Sequence, residues 1–83
     1  MEKIYVVVYV CVMTFCGDIY TEQKVTRNKY VAQNYFNNYI ADIAETTGDN
    51  MIVEEMGKTI FDYEGANGGN MYHVEISEVE VTE

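Results

Sequence analysis

The chain has 83 residues, a formal net charge of −9, 48% apolar residues and no proline. A chain of this length forms one domain, placed here over residues 1–83, and its aromatic content of 13% is too high for a disordered acidic tail. Its 14 acidic residues against 5 basic ones create a field that repels nucleic acid and anionic membranes. We therefore expect neither direct nucleic-acid binding nor membrane association.

The chain opens with an apolar run from Ile4 to Met13. A signal sequence needs small residues before its cleavage site, and the residues that precede Cys16 are not small. A membrane-spanning helix needs about 20 apolar residues, and this run has roughly half that number. Because the run is rich in valine and tyrosine, it predicts a β-strand. Both of its alternating rows of side chains are apolar, so the strand is predicted to be central and at least partly covered on both faces.

One of these two rows is predicted to lie on the sheet face that has no helix to cover it. Its members are Tyr5, Val7, Tyr9, Cys11 and Met13. The sequence provides a single helix, and contiguous exposed apolar area usually marks an interaction site. The row therefore predicts a protein interface, most simply between copies of the chain in a homo-oligomer. The alternative, that strand twist and the loop at residues 65–70 cover the row, stays open.

A turn at Cys16 to Asp18 leads into a second strand over Ile19–Val25, whose mixed polarity is typical of an edge strand. Thr26 or Asn28 is predicted to cap a helix that ends near Thr47, where Gly48 supplies a left-handed stop. The residues expected to face the sheet follow helical spacing. They are Ala32, Phe36, Tyr39, Ile40 and Ile43.

Three basic residues, Lys24, Arg27 and Lys29, surround the predicted start of this helix. Cations at a helix N-terminus oppose the helix dipole by roughly 0.3 to 1 kcal/mol each, so a compensating partner is expected. They could form an anion site together with backbone N–H groups. They could instead pair with Glu22 or with the acidic strands, which is the interpretation that we favour.

Residues 49–83 hold nine acidic residues and a single basic residue, Lys58. Met51–Met56 and Thr59–Glu64 predict either a hairpin around Gly57 or one bent strand, and we favour the hairpin. Met71–Val81 predicts the last strand. Its apolar residues change parity near Ser77, which indicates a β-bulge.

The acidic residues of this half are predicted to form a charged surface along the sheet. They are Glu54, Glu55, Asp62, Glu64, Glu75, Glu78 and Glu80. Such an array could mimic a nucleic-acid backbone and so inhibit a nucleic-acid-binding enzyme. It could also simply keep the chain soluble and protect an edge strand from aggregation, which is the interpretation that we favour.

The residues that could carry chemistry do not form a recognisable catalytic or metal pattern. Cys11 and Cys16 lie too far apart on an extended strand to form a disulfide, so both are predicted to be free thiols in a cytoplasmic protein. His73 has no signature of a serine or cysteine nucleophile beside it. We therefore predict a protein without catalytic, metal or cofactor sites.

The element order is β-β-α-β-(β)-β, which predicts an α+β fold: one antiparallel sheet of four to five strands with one helix across one face. The Ile4–Val12 strand, the helix core around Tyr30, Ala32 and Phe36, and the Glu-rich ending Met71–Val81 resemble small uncharacterised proteins of phages and mobile elements. The chain departs from that pattern by a longer region 51–69. The resemblance implies a fold and an accessory role, but no activity. We expect a small acidic interaction protein that self-associates; the alternative is the nucleic-acid mimic.

Overall fold

The computed structural model describes residues 2–65 and 69–81. Its elements are β1 (Glu2–Met13), β2 (Asp18–Thr26), α1 (Lys29–Thr47), a 3-10 helix (Asn50–Glu55), β3 (Ile60–Glu64) and β4 (Met71–Val81). The strands form one antiparallel sheet in the order β2-β1-β4-β3, and α1 packs across one face of it. The predicted α+β class and helix placement are confirmed. Residues 66–68 of the predicted loop lie outside the described residues.

The valine-rich strand β1 lies inside the sheet, as predicted. It pairs with β2 on one side and with β4 on the other, so that Tyr9 lies opposite both Glu22 and Val74. A strand with two neighbours has its backbone N–H and C=O groups paired on both sides. β-Branched side chains are favoured there because they pack well on a pleated surface.

The helix begins and ends where its sequence predicts. The Oδ1 atom of Asn28 accepts hydrogen bonds from the backbone N–H groups of Tyr30, at 2.9 Å, and Val31, at 3.3 Å. These bonds satisfy two of the N–H groups that a helix start leaves without partners. At the other end Gly48 adopts a left-handed φ of 73°, and its N–H donates to Ala44 O at 2.9 Å.

The core lies between α1 and the sheet. The predicted helix stripe is buried, and Phe36 and Ile40 are fully enclosed together with Val7 of β1 and Val74 of β4. The ring of Tyr9 stacks on that of Tyr39, with ring centroids 4.8 Å apart and ring planes 5° apart. Aromatic contact of this kind adds to the burial of apolar area and fixes the helix across the central strands.

The hairpin predicted around Gly57 is wrong, because residues 50–55 form a 3-10 helix and not a strand. Asp49 caps this helix, since its Oδ1 accepts from the N–H of Met51 at 3.0 Å. Ile52 is buried in the core. The N–H of Gly57 donates to Asn37 Oδ1 on α1 at 2.9 Å. Capping and hydrogen bonds to the helix thus outweigh the β-propensity of the segment.

The β-bulge predicted near Ser77 is also wrong. The β1–β4 register runs without interruption from Glu2 opposite Val81 to Val12 opposite Met71. The apolar parity changes because Val74 belongs to the face under α1, whereas Val79 lies on the opposite face. The sequence pattern therefore records a change in which face is apolar, and not an extra residue.

Replacing the N-cap residue tests the account of the helix start. We expect Asn28→Ala to lower the free energy of unfolding by about 1 kcal/mol, because two backbone N–H groups lose their acceptor. Urea denaturation followed by circular dichroism measures this loss. Asn34→Ala, at an exposed position within the same helix, is the matched control and should not destabilise the protein. Equal stability of the two variants would contradict the capping role.

Candidate interaction surface

The row predicted to be uncovered lies instead beneath the helix. Val7 and Cys11 belong to the core, and Tyr5 and Tyr9 pack against it; only Met13, at the end of β1, is exposed. The prediction that this row faces away from α1 is therefore wrong. Two apolar rows on one strand look alike in sequence, and the contact with the helix decides between them.

A signal in the neighbouring strand distinguishes the two rows. The row with Val7 and Cys11 pairs with Ile76, Val74 and Tyr72 of β4, all of them apolar or aromatic. The other row of β1 pairs with polar residues such as His73 and Glu75 in the middle of β4. Once the register is known, the fully apolar side is recognisable as the core.

The sheet face opposite α1 is called the open face below. Within residues 2–65 and 69–81, α1 packs on the other side of the sheet and the 3-10 helix packs against α1. The strand registers place 19 residues on the open face. They are Glu2, Ile4, Val6, Val8, Val10 and Val12 of β1; Ile19, Thr21, Gln23 and Val25 of β2; Ile60, Asp62 and Glu64 of β3; and Met71, His73, Glu75, Ser77, Val79 and Val81 of β4.

The apolar residues of the open face form one continuous area. The five apolar β1 side chains are half-buried by their neighbours. Around them Ile19 is 67%, Val25 57% and Val79 42% exposed. Large apolar side chains left in water over contiguous area usually mark a surface that another molecule covers.

A polar cluster occupies the β3 side of the open face. The Nδ1 atom of His73 lies 2.5 Å from Asp62 Oδ1, and its Nε2 atom lies 3.3 Å from Glu75 Oε1. The hydroxyl of Ser77 donates to Glu75 Oε2 at 3.1 Å. Together with Val10 of the apolar row, His73 and Asp62 line a shallow depression of about 350 Å³. Charge on the open face thus lies on β3 and β4, apart from Glu2 at the start of β1, which pairs with Arg27.

The acidic residues predicted to form one surface divide among three places. Asp62, Glu64 and Glu75 lie on the open face, whereas Glu78 and Glu80 have the other parity of β4. Glu54 and Glu55 lie on the 3-10 helix.

Two of these seven carboxylates are paired with lysines. Glu78 forms an ion pair with Lys3 at 2.7 Å, which holds the pKa of the Glu78 carboxyl below its ordinary value. Glu55 pairs with Lys58. The described residues contain no group of three or more His, Cys, Asp or Glu side chains that could hold a metal ion.

The three cations near the helix start contact or approach carboxylates. Lys24 lies 3.6 Å from Glu22 and 5.2 Å from the centre of the Tyr35 ring. Arg27 lies 3.6 Å from Glu2. Lys29 is close enough to Glu78 for its charge to contribute to the lowered pKa of that carboxyl. The pairing of Lys24 with Glu22 agrees with the interpretation favoured from the sequence. Asn28 already accepts hydrogen bonds from two of the N–H groups at the helix start.

Glu22 also links the edge strand β2 to the helix. Its Oε1 atom accepts from the Tyr39 hydroxyl at 2.6 Å and its Oε2 atom from the Tyr20 hydroxyl at 2.8 Å. These hydrogen bonds, with a smaller contribution from Lys24, lower the pKa of the Glu22 carboxyl. Burial, followed by the bond to Glu22, raises the pKa of the Tyr39 hydroxyl. The sequence does not reveal this network, because it joins residues 17 positions apart.

No family model matches the chain, and neither a curated protein nor a solved structure matches it. None of the helices in the described part of the chain is long and apolar enough to cross a membrane. Cys11, which is buried, and Cys16, which is exposed, are both free, as predicted.

The pH dependence of stability tests the Glu22 network. A carboxyl whose pKa is lowered by folding stabilises the protein above its ordinary pKa, given as 4.5, and loses that effect as pH falls through the folded-state value. We expect Glu22→Gln to lower the urea midpoint at pH 7, and the difference from the natural protein to shrink below pH 4.5. Glu45→Gln, at an exposed helix position, should leave both midpoints unchanged. A Glu22→Gln difference that is independent of pH would contradict this role.

Proposed function

We propose that the protein is a small, acidic, non-catalytic interaction protein that associates with a second copy of itself through the open face. The observation that carries this proposal is the continuous apolar area on the side of the sheet opposite α1. Burial of apolar area is the dominant favourable contribution to association between proteins.

The size of the open face suits a second copy. The four strands have 12, 9, 5 and 11 residues. At about 3.3 Å per residue and about 4.8 Å between strands, they cover roughly 600 Å². Two such faces together bury about 1,200 Å², which is the lower end of the range for specific interfaces. Two sheets can pack face to face in this way, as in β-sandwiches.

The distribution of charge also favours this use of the open face. Two chains with a formal charge of −9 repel each other, so contact is favoured where the surface carries least charge. Apart from Glu2 at the start of β1, which forms an ion pair with Arg27, the β1 and β2 residues of the open face carry no formal charge. The acidic residues of β4 and the 3-10 helix lie largely elsewhere. Salt screens the remaining repulsion and should strengthen the association.

The absence of catalysis is part of the proposal, and the geometry around His73 supports it. Both ring nitrogens contact carboxylates, so neither is left to activate a hydroxyl or a thiol. The alternative function, mimicry of a nucleic-acid backbone, receives less support because the acidic residues divide among three places. The sequence resemblance supports an accessory role in a phage or mobile element, and two free thiols are typical of the cytoplasm.

Lysine substitutions on the open face test the proposal. We expect Val25→Lys and Val79→Lys each to shift the protein from dimer to monomer, because a buried charge would replace apolar contact. Both positions are exposed in one chain, so the fold should persist. Because lysine reduces the net negative charge, dissociation could not be attributed to increased repulsion between chains.

Val53→Lys is the matched control, since Val53 is 44% exposed but lies on the 3-10 helix, away from the open face. It should remain a dimer. The measurement is molar mass by light scattering, with circular dichroism to check the fold. If all three variants kept the mass of the natural protein, the open face would not be the association surface.

A further inference from the structure

Fifteen residues of the open face form four rows that run across the strands, and two further rows pair Ile4 with Val79 and Glu2 with Val81. In the order β2, β1, β4, β3 these rows are Val25, Val6, Ser77; Gln23, Val8, Glu75, Ile60; Thr21, Val10, His73, Asp62; and Ile19, Val12, Met71, Glu64. In these four rows β2 and β1 contribute apolar or uncharged residues only. All charged groups of the four rows come from β4 and β3.

A closed dimer of two open faces has a two-fold axis in the plane between the sheets, and the same patch is used by both copies. If the axis ran along the strands, each row would meet itself in reverse order, with β1 over β4 of the second copy. Val8 would then lie against Glu75 of the second copy, and Val10 against His73. If the axis ran across the strands, each strand would meet the same strand running in the opposite direction.

Desolvation distinguishes these two arrangements. With the axis along the strands, Glu75 and His73 would lose water and face valine side chains, which offer no hydrogen bonds. With the axis across the strands, the valines of β1 can face valines, and Glu75 can face His73 of the second copy. The second arrangement buries apolar area without leaving charged groups unpaired.

The position of the axis follows from matching the rows. When the axis passes between the row of Val8 and the row of Val10, Val25 lies over Ile19 of the second copy, so that two exposed apolar side chains meet. Glu75 then faces His73 of the second copy, which pairs groups of complementary charge when the histidine is protonated. An axis through the row of Val8 would instead place Glu75 opposite Glu75.

The same arrangement covers a large apolar side chain that is exposed to water in the single chain. Phe15 is 97% exposed in the turn between β1 and β2. In the arrangement above, this turn of the second copy overlies the next row of the first, where Ile4 pairs with Val79. Phe15 thus comes close to apolar side chains.

We propose that β1 of the second copy packs antiparallel across β1 of the first, about a two-fold axis perpendicular to the strands between Val8 and Val10. This inference rests on the proposed function, because it specifies the geometry of the same surface. In this geometry Val8 faces Val10 of the second copy, and Val6 faces Val12 of the second copy.

Pairwise cysteine cross-linking tests this geometry. Cys16→Ser first removes the exposed thiol, while Cys11 stays buried. In one mixture, chains carrying Val8→Cys are combined with isotope-labelled chains carrying Val10→Cys. In a second mixture, Val6→Cys is combined with labelled Ser77→Cys, the pair that meets if the axis runs along the strands. A short bismaleimide, able to join side chains across sheets packed about 10 Å apart, is added and the products are identified by mass spectrometry.

We expect a mixed covalent dimer to be a main product of the Val8–Val10 mixture. We expect no such dimer from the Val6–Ser77 mixture. Efficient Val6–Ser77 linkage would overturn the inference but leave the proposed function standing. A protein that is dimeric before reagent is added, yet is linked in neither mixture, would place the contact elsewhere and overturn both. A monomer by light scattering would likewise overturn both.

Discussion

The structure depends on one constraint: its central strand is apolar on both sides, but the described chain supplies one α-helix. Packing of α1 over Val7 and Cys11 satisfies one side and creates the core. The other side, with Val6, Val8 and Val10, is left half-buried by the neighbouring strands only. A domain of this size buries a modest fraction of its surface and has little stability to spare. Covering the second face by association would therefore serve stability as well as function.

The sequence predicts the positions of the helices and strands far better than it predicts which side of each strand is buried. The strand β1, the helix with its Asn28 and Gly48 caps, and the buried stripe around Phe36 and Ile40 follow from local propensity and periodicity. Local propensity does not predict the 3-10 helix, because its stability comes from the Asp49 cap and from contacts with α1.

The prediction for the row with Tyr5 and Tyr9 places it on the wrong side of the sheet for a related reason. The two apolar rows of β1 are equivalent until the register with β4 is known, because only then do Ile76, Val74 and Tyr72 identify the core side. The polar cluster around His73 and the Glu22 network likewise join residues from separate strands and the helix. Tertiary pairing, and not composition, creates the candidate site.

The central claim is that the open face holds two copies together, and the molar mass of the natural protein tests it most directly. Light scattering after size exclusion, at low and at moderate salt, should give about twice the 9.5 kDa of one chain, with more dimer at moderate salt because repulsion between acidic chains is screened. A mass of 9.5 kDa at both salt concentrations and at high protein concentration would contradict the account.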